Sequence, residues 1–222
     1  MRRLWVIDPS VHEAEDQCVA EVLDGWEGDR RVFRPSIDGD GPLPATGYDS
    51  DGVVLLGSAA SVHEDLAWQH RLSEWLLPIL DGTRPLPLLG VCYGHQLIAH
   101  LAGGRVGFMH EDRHKELGPR RTSISNSRLL PGTHELKVLA SHAEIVEAMP
   151  EGYTVNACRA GVAIDGMEHA VRPIFAFQFH PEARDQFARS RGLAPSLIDE
   201  TLVRDSRRLL AAFRRWVATD GP

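Results

Sequence analysis

The first half of the chain alternates short, wholly apolar runs with stretches of helical spacing. Leu4 to Ile7 is an apolar run before Asp8, and His12 to Leu23 follows with a helical pattern. Gly52 to Leu56 is a β-branched run ending at Gly57. Asp65 to Leu80 then places Leu66, Leu72, Trp75, Leu76 and Ile79 on one helical face. Leu86 to Val91 predicts a further strand, and Tyr93 to Leu101 a helix. Strands that are apolar at every position, alternating with helices, predict an open, mostly parallel sheet buried on both faces.

Past Gly103-Gly104 the rhythm shortens. Strands are predicted at Arg120 to Ile124, Glu135 to Ala140, Thr154 to Ala157, Val162 to Ile164 and Ile174 to Phe179, separated by turn residues such as Pro131-Gly132 and Asp165-Gly166. This pattern predicts a short antiparallel or mixed extension of the same sheet. Pro195 to Val217 predicts a helix with Ser196 as N-cap and Asp199 and Glu200 in its first turn. Ser36 to Gly47, rich in Gly, Pro and Asp, predicts a surface loop. The expectation is an α/β chain forming a single domain over 1–222, with its core at about 4–182 and a C-terminal helical extension over 183–222.

Composition narrows the function classes. At 222 residues, 43% hydrophobic and 25% charged, the chain is of ordinary globular make-up. A net charge of −7 gives no support to nucleic acid as partner. Only four apolar residues precede Asp8, too few for a signal peptide, and no run approaches the roughly 20 apolar residues of a membrane span. Cys18, Cys92 and Cys158 are scattered and odd in number, so neither a disulfide framework nor a cysteine zinc site is indicated and a cytoplasmic setting is expected. Cys18 and Cys158 read as packing residues.

Two segments carry chemistry. Residues 86–99 run strand, Gly90-Val91-Cys92-Tyr93-Gly94, helix: the layout of a nucleophile elbow with cysteine as nucleophile. The turn would lift Cys92 to the carboxyl edge of the sheet, and the helix N-terminus beside it would favour the thiolate. Taken alone, the pattern suits a buried core thiol equally well. In the second segment, the alternating strand Ile174 to Phe179 ends at His180, and Pro181 turns the chain so that Glu182 returns toward the imidazole. A carboxylate there fixes the tautomer of a catalytic base and steadies its charged form. In isolation this pair reads as a surface histidine capping a strand.

Together, Gly-Val-Cys-Tyr-Gly-His-Gln (90–96) and Phe-Gln-Phe-His-Pro-Glu (177–182) resemble the two signatures of class I (triad-type) glutamine amidotransferases, in particular the glutaminase domain of GMP synthase. Segments 51–58, 102–106, 116–118 and 140–144 resemble the family in order and spacing, so the likeness runs from about Leu4 to Glu182. The resemblance implies a flavodoxin-like sheet with helices on both faces and a Cys92–His180–Glu182 triad. It also implies an oxyanion hole from the backbone N–H groups of Ser58 and Tyr93, and a grip on the amino-acid end of glutamine by Gln96 and the backbone of Ser141, Ala143 and Glu144. No cofactor and no metal are implied.

Two departures qualify it. The family's oxyanion loop usually reads Gly-Gly-Pro, and this chain has Gly57-Ser58-Ala59. A loop that needs positive φ at position 58 disfavours serine, so the hole would form only on activation. No synthetase segment follows, so ammonia would pass to a separate ammonia-accepting synthetase. The rivals are a γ-glutamyl peptidase or amide hydrolase with the same triad, and a regulatory protein with a conditional or degenerate site.

Two further patterns are weighed. His110-Glu111-Asp112-Arg113-His114 spells the H-E-x-x-H zinc motif, but glycines precede it, Gly118-Pro119 follows and no amphipathic helix surrounds it, so a solvated charged loop is expected. Arg204, Arg207, Arg208, Arg214 and Arg215 read as the wet side of a helix whose Leu209, Leu210, Phe213 and Trp216 face the core.

Overall fold

The computed structural model describes residues 1–38, 43 and 49–219, so most of the loop expected from Ser36 to Gly47 lies outside the described residues. In chain order the elements are β1 (Arg3–Ile7), α1 (Asp16–Leu23), β2 (Asp29–Phe33), β3 (Gly52–Leu55), α2 (Ala67–Leu80), β4 (Leu88–Val91), α3 (Tyr93–Leu101), β5 (Arg105–Phe108), β6 (Glu116–Ile124) and β7 (His134–His142). Then come β8 (Glu144–Ala148), β9 (Tyr153–Arg159), β10 (Val162–His169), β11 (Ile174–Phe177), α4 (Asp185–Ser190), a 3₁₀ turn (Pro195–Leu197) and α5 (Glu200–Thr219).

Among the described residues nine strands make one sheet in the order β2-β1-β3-β4-β11-β10-β9-β6-β7. The first five run parallel; from β11 onward each neighbour is antiparallel. This is the flavodoxin-like α/β architecture expected, and its antiparallel extension comprises four strands, with β5 and β8 pairing separately.

The wholly apolar strands behave as two-sided elements. Leu4, Val6, Val54, Leu89, Val91, Phe175 and Phe177 point to the face covered by α1 and α5. Trp5, Ile7, Val53, Leu55, Leu88, Ile174 and Ala176 point to the face covered by α2 and α3. Each fully buried aliphatic or aromatic side chain adds about 1.5–3 kcal/mol of transfer free energy. Helix α5 belongs to the same core: Leu202, Leu209, Phe213 and Val217 are buried, and a Cβ at Gly52 would come within 2.4 Å of Val217.

Several local expectations are corrected. Helix α1 starts at Asp16 rather than His12, because the Asp8 carboxylate accepts hydrogen bonds from Ser10 and from the Glu15 N–H and ties this segment to the end of β1. Asp199, not Ser196, caps α5: its Oδ1 accepts the Leu202 N–H at 3.0 Å. Cys158 is exposed rather than packed, whereas Cys18 is buried. The H-E-x-x-H segment is, as expected, an exposed charged loop, with Arg113 at φ 58° and the His114 ring nitrogen 2.6 Å from Asp112. As expected of the wet side of α5, Arg204, Arg207, Arg208 and Arg215 are exposed while Leu209, Leu210 and Phe213 are buried; Arg207 also pairs with Glu21, and half-buried Arg214 donates to the carbonyls of Glu21 and Val22. Among the described residues no helix is long and apolar enough to cross a membrane.

Candidate active site

Three adjacent parallel strands, β3, β4 and β11, end side by side, and each delivers one part of the site at its carboxyl end. Neighbouring strands lie roughly 4.8 Å apart. Gly57-Ser58 after β3, Cys92 after β4 and His180 after β11 therefore emerge as near neighbours although up to 123 residues separate them (180 − 57).

Cys92 is the turn between β4 and α3, at φ 51° and ψ −102°, a conformation that strains any residue with a side chain by about 1–3 kcal/mol. The glycines on either side allow it. A Cβ at Gly94 would lie 2.4 Å from the Leu55 carbonyl oxygen, and one at Gly90 would lie 2.8 Å from the Gly94 backbone. The bend thus holds Cys92 at the first turn of α3, whose unpaired N–H groups favour negative charge.

The His180 ring lies against Gly57: a Cβ there would come within 2.8 Å of His180 Cε1 and 3.4 Å of Cys92 Cβ. His180 Nδ1 binds Glu182 Oε1 at 2.7 Å, both side chains being buried. Among the described residues its buried Nε2 has no hydrogen-bond partner, and Cys92, with Glu182, is close enough to act on the ring by its charge. Burial works against a charged imidazole, but a negative Cys92 and the Glu182 carboxylate more than offset it and push the His180 pKa up to about 10. The nucleophile, base and orienter expected from sequence therefore meet in space. They form an arrangement able to move a thiol proton onto a fixed imidazole.

The remaining expected residues lie around them. Tyr93 opens α3, so its N–H is among the unpaired donors of the first turn. Ser58 keeps φ outside the left-handed region, with its hydroxyl donating to the Pro9 carbonyl at 2.8 Å and accepting the Ala60 N–H at 3.2 Å. The Ser141 carbonyl lies 3.8 Å from Cys92 Sγ. The Ala143 carbonyl accepts from Met109, and Glu144 accepts from Ser61 through its carboxylate. Gln96 Nε2 donates to the Glu144 carbonyl at 2.7 Å and to Gln178 Oε1 at 3.2 Å.

Two neighbours lie beyond what sequence reasoning assigned. Gln178, fully buried, has its amide nitrogen 3.7 Å from Cys92 Sγ; a polar residue inside the apolar run Phe177-Gln178-Phe179 is the signal that could have found it. Arg159, buried behind the Ser141–Glu144 loop, binds Glu116, Asp165 and His142 Nε2, and nothing in its local sequence marks it. A groove of about 370 Å³ opens beside Gly57 and Ser58, walled by Glu15, Lys115 and Arg191.

The family model of class-I glutamine amidotransferases matches residues 41–199, and the chain belongs to this family. Among curated relatives, it is 30% identical over 154 residues to a glutamine-hydrolyzing GMP synthase subunit of Thermoplasma acidophilum, covering 66% of this chain and 73% of that one. It is 36% identical over 137 residues to the glutamine-hydrolyzing GMP synthase of Wolinella succinogenes, covering 59% of this chain and 24% of that protein. The chain thus spans about a quarter of the length of the first such relatives. In fold it is similar to a glutamine amidotransferase from Thermotoga maritima, with a TM-score of 0.76 and 18% identity over 98% of this chain and 99% of that one.

Proposed function

We propose that this chain hydrolyses the side-chain amide of glutamine through a thioester on Cys92 and supplies the ammonia to a separate synthetase. The observation that carries the proposal is the His180 ring, anchored at Nδ1 by Glu182 with Nε2 left to the Cys92 sulfur. In this reading His180 takes the thiol proton and the sulfur attacks the carboxamide carbon. His180 then protonates the departing ammonia, and water activated by the same ring cleaves the thioester. The N–H groups of Tyr93 and Ser58 would hold the oxyanion, each worth roughly 10²–10³ in rate. Ser141, Ala143 and Glu144 would grip the amino-acid end through their backbone, with Gln96 acting on the substrate by holding that loop. The Thermoplasma relative, named as one subunit of a GMP synthase, supports a partner on a separate chain.

The test is ammonia release from glutamine by the purified chain and by Cys92→Ala, alone and with a cognate synthetase. The variant is expected to lose roughly 10³-fold or more, as nucleophile deletions do; ammonia production that survives the substitution overturns the reading. The groove beside Ser58 favours a second reading, in which a larger γ-glutamyl amide is cleaved and an amine leaves. Cys92-dependent amine release from such amides, with glutamine left intact, would select it.

A further inference from the structure

Cys92 Sγ lies near two polar groups from outside the triad, and they suit opposite protonation states. The Ser141 carbonyl, at 3.8 Å, can only accept, so it suits the thiol; the Gln178 amide nitrogen, at 3.7 Å, can only donate, so it suits the anion. An amide side chain can present either end, and here the surrounding network fixes which. The Glu144 carbonyl accepts only, so the Gln96 atom 2.7 Å from it is its NH₂ group. That group's second hydrogen reaches Gln178 at 3.2 Å, which makes the facing atom Oε1 and turns the Gln178 NH₂ toward the sulfur. Reversing Gln178 would set nitrogen against nitrogen at one end and oxygen against a negative sulfur at the other.

We infer that Gln178 is a catalytic residue that donates a hydrogen bond to the Cys92 thiolate, in an orientation imposed from the Ser141–Glu144 loop through Gln96. With the thiol proton on His180 Nε2, sulfur and imidazole form an ion pair. The sulfur gives up its bond to Ser141 and accepts from Gln178 and His180. Because the relay begins at the Glu144 carbonyl, a ligand that displaces this loop alters the reactivity of the sulfur.

The inference rests on Cys92 being the nucleophile, so its test reads the sulfur directly. Alkylation of Cys92 by iodoacetamide is followed by peptide mass spectrometry from pH 5 to 10 in wild type, Gln178→Met, Gln178→Glu and Gln96→Met. Loss of one hydrogen bond to a charged acceptor is expected to slow alkylation on the acid limb by roughly tenfold in Gln178→Met and move the midpoint upward by about one pH unit. Gln178→Glu preserves shape and the contact with Gln96, and is expected to shift the midpoint further; Gln96→Met shifts it in the same direction by less. A midpoint unchanged in both Gln178 variants overturns the inference, and one unchanged in Gln96→Met overturns the relay. The parent reading fails separately, as wild-type Cys92 that alkylates no faster than exposed Cys158 and glutamine that is not turned over.

Discussion

At the scale of single residues, the site depends on a few positions where backbone and side-chain demands meet. Cys92 occupies strained backbone because Gly90 and Gly94 leave no room for relaxation. Glu182 spends Oε1 on His180, and among the described residues its buried Oε2 has no partner, so its carboxylate is devoted to one ring. Glu182→Gln should keep the shape but remove the charge that steadies the imidazolium and the acceptor that fixes its tautomer. We expect kcat for glutamine to fall by roughly 10²–10⁴-fold while the melting temperature changes little; a kcat within threefold of wild type would remove Glu182 from the triad. The meeting of Cys92 with His180 and Glu182 was legible only from Gly-x-Cys-x-Gly and His-Pro-Glu taken together, through the family likeness, because each motif alone suits a packing thiol or a surface histidine equally well or better. The role of Gln178 was not legible, since it depends on Gln96 and Glu144, distant positions brought together by the fold.

Among elements, those with apolar runs were legible to within a few residues, and α3 at both ends. The elements that sequence did not reveal have other reasons to exist. Strand β2, Asp29–Phe33, has three charged residues of five and sits at the sheet edge, where one face of hydrogen bonds and side-chain charge suffice. Among the described residues, strands β5 and β8 pair only with each other. Between β6, β7, β9 and β10 lies a buried ionic cluster: Arg159 joins Asp165 at 3.0 Å, Glu116 and the His142 ring. Burial and Arg159 together lower the His142 pKa to about 4, so the ring is a neutral acceptor. Removing Arg159 takes the ion-pair partner from buried Asp165, while Glu116 keeps Arg120. Arg159→Met is therefore expected to cost about 3–5 kcal/mol in urea unfolding, and a loss under 1 kcal/mol would show that water replaces the guanidinium without penalty.

For the whole molecule, the buried histidines set how stability follows pH. His142 and His95 have pKa values lowered to about 4 and about 3, mainly by burial. The unfolded chain takes up their protons first, so stability present above pH 6.5 is lost as the pH falls toward 4. His180 is the reverse: its pKa is raised to about 10, so its contribution is complete below pH 6.5 and is lost as the pH rises through 10. Urea midpoints are expected to peak near neutrality and decline on both sides, with His180→Gln flattening only the alkaline side. An alkaline decline identical in that variant would place the effect elsewhere.

The position of β11 carries a consequence for how the chain is made. Among the described residues it is the last strand in sequence, yet it lies in the middle of the sheet, and it alone joins the parallel strands to the antiparallel ones. A growing polypeptide therefore displays its sulfur long before the imidazole that would arm it has been synthesised. On the proposed mechanism, reactivity arrives only when the final strand slots home, and a stalled or clipped product would be inert toward amides.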